Sequence, residues 1–262
     1  FENTFNRLFD IHCCFPLSFN CTDCFNMKNQ NVIHIENLSF QYPDGTRALH
    51  NIFLDIQKDE RIGIIGANGA GKSTLALHLN GILTGTGFIS VQGIHVKKKN
   101  LKAIRQKVGI IFQNPDDQLF CMKVYDDIAF GLRNMGLPED KVKIRVSESL
   151  MTVGLPGYED RCPSHLSLGE KKRIAIATVY SMHPEVFVLD EPTSSLDPKG
   201  RKSIIRLLEN IGGTQIIVSH DIDLVQRICT RVIVLYSGKI VYNGNSNEIF
   251  SDLRRLEAWD LA

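Results

Sequence analysis

The sequence predicts an α/β fold built on a largely parallel sheet with a helical insertion. Three observations carry this reading. Short β-branched runs alternate with helical patterns along most of the chain. A glycine-rich loop joins one such run to a helix. Between about residues 114 and 168 the strand pattern gives way to helices.

The elements follow in order. Val32 to Tyr42 reads as a strand: Ile33 and Ile35 alternate with polar neighbours, and Leu38, Phe40 and Tyr42 do so again after a one-residue slip. Pro43-Asp44-Gly45 is a turn. Ile52, Leu54 and Ile56 mark a second strand, and Arg61 to Ile65 is a β-branched run suited to a buried position. A helix over 74–80 follows the glycine-rich loop, and residues 87–92 and 108–112 are short strands. Val124–Met135, Glu139–Val153 and Glu170–Ser181 read as helices. Asp126 and Asp127 open the first of these, where negative charge is favourable. The remainder is Val186–Leu189 (strand), Pro198–Asn210 (helix), Gln215–Val218 (strand) and Asp221–Ile228 (helix), then a hairpin of Val232–Tyr236 and Lys239–Tyr242 around Ser237-Gly238.

The 262 residues suit one large α/β domain. A hydrophobic content of 43% excludes global disorder. Thirty Lys and Arg against 29 Asp and Glu disfavour a strongly basic nucleic-acid protein, and Lys97-Lys98-Lys99 reads as a solvated turn. No stretch reaches the roughly 18 continuous apolar residues of a membrane span, so a membrane role runs through a partner. Pro16, Asn20 and Asp23 break the N-terminal apolar stretch and argue against a signal peptide, which reads as an intracellular chain. Residues 1–26, ahead of Met27, are expected to be a non-native or disordered segment. Competing readings are a metal site at Cys21-x-x-Cys24, with Cys13 and Cys14 nearby, and a regulatory tail. Cys121, Cys162 and Cys229 bring the cysteines to seven, an odd number that argues against a disulfide framework.

Gly66-Ala67-Asn68-Gly69-Ala70-Gly71-Lys72-Ser73 fits G-x-x-x-x-G-K-[ST], between a predicted strand and a predicted helix. Its glycines let successive N–H groups converge on phosphate oxygens, and the helix N-terminus adds its dipole. Lys72 is placed to reach the β- and γ-phosphates and the Ser73 hydroxyl to ligate Mg²⁺. The binding set is Gly66, Asn68, Gly69, Gly71, Lys72, Ser73 and Thr74, and the ligand a nucleoside triphosphate.

Four further segments narrow the class. Val186-Phe187-Val188-Leu189-Asp190-Glu191 is an apolar strand that delivers two carboxylates. Leu166-Ser167-Leu168-Gly169-Glu170 precedes Lys171-Lys172-Arg173. Gln113 lies in Phe112-Gln113-Asn114-Pro115-Asp116-Asp117-Gln118, and His220 follows Ile216-Ile217-Val218-Ser219. With the phosphate loop, these resemble the nucleotide-binding subunit of ABC transporters over about residues 31–250.

The resemblance implies a P-loop NTPase cassette: a mainly parallel core sheet, an antiparallel β subdomain and a helical subdomain at about 114–169. The ATPase domain then spans 27–250, with 251–262 as a C-terminal tail. It implies that Asp190 holds Mg²⁺ through water, Glu191 polarises the attacking water and His220 contacts the γ-phosphate. Gln113, as the Q-loop glutamine, is a neutral oxygen ligand for Mg²⁺, so the metal set is Ser73, Gln113 and Asp190. Tyr42 stacks on adenine, with Phe40 as competitor. Residues 166–170 resemble the LSGGQ signature, with Leu168 for Gly and Glu170 for Gln. In that family the signature binds ATP held by a second ATPase subunit, which assigns Ser167, Gly169 and Glu170 to nucleotide. Glu170 adds negative charge there unless Lys171 or Lys172 offsets it. Ser194-Ser195-Leu196-Asp197 resembles the D-loop at the dimer interface.

Residues 112–120, Ala129-Phe130-Gly131 and Tyr42-Pro43-Asp44-Gly45 look like the energy-coupling-factor group, which imports cobalt, nickel or vitamins. The implied partners are a second ATPase subunit and integral membrane transporter subunits, with the chain peripheral at the cytoplasmic face of the membrane and no nucleic acid bound. Leu119, Phe120 and Met122 are expected to be exposed for docking. A soluble ABC-type ATPase acting on nucleic acid or ribosomes is the alternative, and a small-molecule kinase is a further rival.

Overall fold

The structure is a computed structural model and describes residues 31–261. The cysteines Cys13, Cys14, Cys21 and Cys24, and the expectations for residues 1–26, lie outside the described residues. In chain order the first half runs β1 (Asn31–Gln41), β2 (Arg47–Gln57), β3 (Arg61–Ile65), α1 (Lys72–Leu79), β4 (Thr86–Val91), β5 (Ile94–His95), α2 (Leu101–Lys107) and β6 (Val108–Ile111). Three helices follow, α3 (Val124–Asn134), α4 (Glu139–Thr152) and α5 (Leu168–Tyr180). The chain then forms β7 (Val186–Asp190), α6 (Pro198–Asn210), β8 (Thr214–Val218), α7 (Ile222–Ile228), β9 (Arg231–Tyr236), β10 (Lys239–Asn245), α8 (Ser246–Phe250) and α9 (Leu253–Ala258).

Two sheets organise these strands. One has the order β10-β9-β3-β8-β7-β6 and is parallel except for β10, which returns from β9 as a hairpin. The other, β2-β1-β4-β5, is antiparallel throughout. The slip read in β1 is a register shift between Ile35 and Leu38, where Asn37 takes φ 52°. It brings Leu38 to the buried face after Ile33 and Ile35.

β3, β7 and β8 are buried almost throughout, as their uninterrupted apolar runs require. One apolar cluster lies between the two sheets and α1, and includes Ile35, Leu54, Ile64, Leu75 and Val188. The other joins α3, α4 and α5 to the opposite face of the parallel sheet through Ile128, Val146, Ile176 and Leu189. The short β5, α2, α8 and α9 have no counterpart in the sequence reading. α9 buries Leu256, so the last residues carry a packed helix. No helix of the described residues is long and apolar enough to cross a membrane.

Candidate functional site

The phosphate loop connects β3 to α1. Gly71 is the N-cap of α1 at φ 102°, and a Cβ there would lie 2.4 Å from the Ala48 carbonyl oxygen. Both the left-handed backbone and the close approach of β2 therefore require glycine. Lys72 is buried, and its Nζ donates to the carbonyl oxygens of Gly66 at 2.8 Å and Ala67 at 3.1 Å. Burial pushes its ammonium down, against the pull of Glu191 and Asp190.

The parallel strands bring the acids and the histidine to the same edge. β7 ends in Asp190, whose register partner on β8 is Val218. Glu191 follows in the left-handed region at φ 47°, and its N–H donates to the Val218 carbonyl at 2.8 Å. Its Oε1 accepts from the His220 backbone N–H at 3.1 Å and lies 2.8 Å from His220 Nδ1. A carboxylate only accepts, so Nδ1 carries the hydrogen and Nε2 remains for a second partner. Ser219 Oγ donates to Glu191 Oε2 at 3.1 Å. Asp221 caps α7 through the Leu224 N–H and accepts from Arg201 Nε and Nη2, each at 2.6 Å. Burial raises its carboxyl, but Arg201, that N–H and the Thr193 hydroxyl outweigh burial and hold it below the ordinary range.

A cleft of about 430 Å³ gathers Tyr42, Asn68, Gly69, Gly71, Lys72, Ser73, Thr74, Gln113, Glu191 and His220. Tyr42 lines it and its hydroxyl lies 3.0 Å from Thr74 Oγ1. Phe40 instead packs edge-on against His78, at 4.8 Å between ring centroids. Asp190 Oδ1 is buried without a hydrogen-bond partner. Burial raises this carboxyl while the Ser73 hydroxyl and Lys72 oppose the rise. A stranded carboxylate oxygen on a residue bonded by the Ser73 hydroxyl, next to a cleft that Ser73 and Gln113 line, offers hard-oxygen donors of the kind that fit Mg²⁺.

Ser167, Gly169 and Glu170 are not part of this cleft. They line a second one of about 490 Å³ with Leu168, Arg173, Leu196 and Asp197. Ser167 caps α5 in a capping box with Glu170. Glu170 Oε2 accepts from the Ser167 N–H at 2.8 Å and its hydroxyl at 2.7 Å, and Oε1 accepts from the Tyr158 hydroxyl at 2.7 Å. These donors, led by the Ser167 hydroxyl, hold the carboxyl down at about 2.

Two expectations need correcting. Neither Lys171 nor Lys172 offsets Glu170. Lys171 pairs with Asp116 at 2.7 Å, and Lys172 turns into the core to the Glu191 carbonyl and Ser194 Oγ. A helix advances about 100° per residue, which aims these side chains away from the cap. Leu119 is not exposed either. At 8% exposure it packs into the helical core, while Phe120 at 66% and Met122 at 80% remain on the surface. Asp127 holds this loop by accepting from the Phe120 and Cys121 N–H groups, both at 3.0 Å. Tyr158 lies outside every motif read from the sequence, and the contacts of Lys172 and Asp127 are not those their sequence positions indicated.

Residues 49–194 match the family described as ABC transporter. The chain is 52% identical over 227 residues to the energy-coupling factor transporter ATP-binding protein EcfA of Methanothermobacter thermautotrophicus, covering 84% of this chain and 73% of that protein. The chain belongs to the ABC transporter ATP-binding family. EcfA of Methanocaldococcus jannaschii is 47% identical over 88% of this chain and 85% of its own. Among solved structures, CbiO1 from Clostridium perfringens, part of the ABC transporter complex cbiONQ, superposes with a TM-score of 0.77. It is 40% identical, covering 87% of this chain and 95% of its own. A dimeric post-hydrolysis state of the ATP-binding cassette MJ0796 with ADP and Pi gives a TM-score of 0.74 at 26% identity, covering 82% and 98%. The cassette fold and the ATPase activity read from the sequence both hold. This chain is an ATP-binding subunit of an ABC transporter, of the EcfA type.

Proposed function

We propose that this chain powers an energy-coupling-factor importer for cobalt, nickel or a vitamin. It works as one of two cassettes on the cytoplasmic face of a membrane subunit. The observation that carries the dimer is the separation of two half-sites. The phosphate-loop cleft and the Ser167–Gly169 cleft are distinct surfaces of one chain. A second cassette, set head-to-tail, supplies each with its complement and encloses two ATP molecules.

Within one such site, Tyr42 stacks on the base, and the loop N–H groups with Lys72 hold the β- and γ-phosphates. Ser73, Gln113 and the water shell of Asp190 are the residues that hold Mg²⁺, which when bound neutralises charge on the β- and γ-phosphates. Glu191 accepts a proton from the attacking water as its oxygen bonds the γ-phosphorus. The bond to the ADP oxygen breaks, leaving ADP and inorganic phosphate. His220, held by Glu191, directs that water and contacts the γ-phosphate. Ser167 and the Gly169 N–H engage the γ-phosphate of the other subunit's ATP. Closure on ATP and reopening after hydrolysis move the membrane subunit.

Phe120, Met122 and Phe130 support the membrane contact. Phe120 and Phe130 pack edge-on at 5.1 Å, and all three are at least half exposed on the surface beside the Gln113 loop. The test is co-purification from detergent-solubilised membranes with mass spectrometry of the bound proteins. A multi-span partner and a small substrate-binding membrane protein are expected. Ribosomes or DNA-bound proteins without a membrane partner would overturn the proposal.

A further inference from the structure

Glu191 is a non-glycine residue in the left-handed region, at φ 47°, and its carbonyl is held by side chains. Lys172 Nζ donates to the Glu191 carbonyl oxygen at 2.9 Å, and Ser194 Oγ donates to the same oxygen at 2.9 Å. Lys172 Nζ also reaches Ser194 Oγ at 3.0 Å, which closes a three-membered set of contacts. Lys172 is 4% exposed. Among the described residues it makes no salt bridge, and its Nζ hydrogen-bond partners are these two oxygens. A cation so placed costs desolvation, and burial pushes the ammonium down to about 8 against the pull of the Glu191 and Asp190 charges. Residues buried at such cost are expected where they fix something. What Lys172 fixes is the carbonyl of the Glu191–Pro192 peptide, on the backbone that aims the Glu191 carboxylate at His220 and Ser219.

Its other end is equally specific. Lys172 lies on α5, five residues after Ser167 and three after Gly169. The helix that presents the half-site for the other subunit's nucleotide is thus tied by one side chain to the backbone of the glutamate in its own chain's half-site. We propose that Lys172 is a positioning residue that, with Ser194, sets the backbone of Glu191 and couples the placement of the Ser167–Gly169 half-site to it. This rests on the reading of Glu191 as general base. The coupling is mechanical: a shift of α5 on nucleotide engagement moves Nζ, and with it the Glu191 carbonyl. Because the lysine touches no substrate, its loss leaves the ATP contacts in place and misplaces the base.

The test uses the purified full chain and steady-state phosphate release. Lys172→Met is expected to lower kcat by about tenfold to a hundredfold, the loss typical of a misplaced catalytic group, with KM for ATP within about twofold. Lys172→Gln, which keeps an N–H donor for the carbonyl, is expected to recover most of kcat, a recovery that generic core damage would not show. Ser194→Ala removes the second tie, and with it one of the two Lys172 contacts, while keeping the lysine and its bond to the Glu191 carbonyl, and is expected to lower kcat at constant KM. It decides the matter if Lys172→Met does not fold. Unchanged kcat in both Lys172→Met and Ser194→Ala, or a rise in KM that accounts for the whole loss, overturns the proposal. Glu191→Gln is run beside them. If it hydrolyses ATP like the native chain, the base assignment fails. If it is inactive while the Lys172 and Ser194 variants are fully active, only the tether fails.

Discussion

Glu191→Gln separates the chemistry of the site from its architecture, and the structure says how. The substitution exchanges one carboxylate oxygen for an amide NH₂. Oε1 accepts from His220 at its backbone N–H and from Nδ1, so the amide oxygen keeps that side. Oε2 faces Ser219 Oγ at 3.1 Å. That hydroxyl already accepts from the Asp221 N–H at 3.0 Å and has a second lone pair for the new NH₂. The Ser219 hydroxyl, which donates to the carboxylate in the native chain, loses that acceptor, so the stability change is expected to be about 1–3 kcal/mol, a Tm shift of roughly 2–12 °C for a chain of this size. The amide does not take a proton from water, and a general base contributes about 10²–10⁴-fold. The expected result is a loss of that order in phosphate release, with ATP retained and a nucleotide-dependent dimer visible by size-exclusion chromatography in Mg-ATP. Hydrolysis within tenfold of the native chain refutes the assignment of the base. A monomer at saturating Mg-ATP refutes the two-cassette arrangement.

The remaining predictions follow from other contacts. Lys72→Ala removes the charge that burial already strains, and should weaken ATP binding by roughly 10–100-fold in equilibrium titration, a charged hydrogen bond being worth about 1.5–3 kcal/mol. Tyr158→Phe takes one donor from Glu170, so its carboxyl should rise from about 2 toward the ordinary 4.5, measured by NMR titration. The sign is set by the native depression: the ionised carboxylate's stabilising contribution is full above 4.5 and is lost as pH falls toward 2. The variant should therefore lose part of that contribution at neutral pH and show a weaker dependence of stability on pH between those values. Phe120→Asp should abolish recovery of the membrane partner while the Tm stays within a few degrees, because the ring is 66% exposed.

The cassette was legible because its parts obey local rules. The run Arg61 to Ile65 followed by the glycine-rich loop shows its strand, loop and helix in twenty residues, and the apolar stretch ending in Asp190 shows where the carboxylates emerge. The slip in β1 was visible because the alternation period of two breaks once, at the position where Asn37 takes a left-handed backbone. What escaped has no period. β5 is two residues long, and α2 buries only Ile104. Leu119 reads like its neighbours Phe120 and Met122, and only the turn imposed by Asp127 sends it inward. Lys172 follows another lysine in a basic helix start, and the sequence offers it only as a counter-charge to Glu170. Its burial depends on Ser194 and Glu191, contacts 22 and 19 residues away in sequence.

The geometry of the site is fixed by the bonds that make the sheet. In a parallel sheet, the carboxyl ends of neighbouring strands open a crevice for ligands. Here β3, β8 and β7 lie side by side and end in the phosphate loop, His220 and the Asp190–Glu191 pair respectively. Their register is carried past the last strand residues. Glu191 N–H reaches the Val218 carbonyl, and Ser219 N–H reaches the Ile64 carbonyl at 3.1 Å. The backbone of the acid, the histidine segment and the approach to the phosphate loop are thereby pinned to one another before any side chain acts. A slip of one residue in β7 would put Glu191 in the place of Asp190, or Asp190 in the place of Glu191, and turn the strand's side chains to the opposite face of the sheet. The uninterrupted apolar run of β7 is buried on both faces and does not by itself forbid that slip. The register must then be held from the ends, and the Lys172 and Ser194 contacts to the Glu191 carbonyl lie at that end. Loss of those contacts is therefore expected to act first on the aim of the carboxylate, and only afterwards on the stability of the sheet.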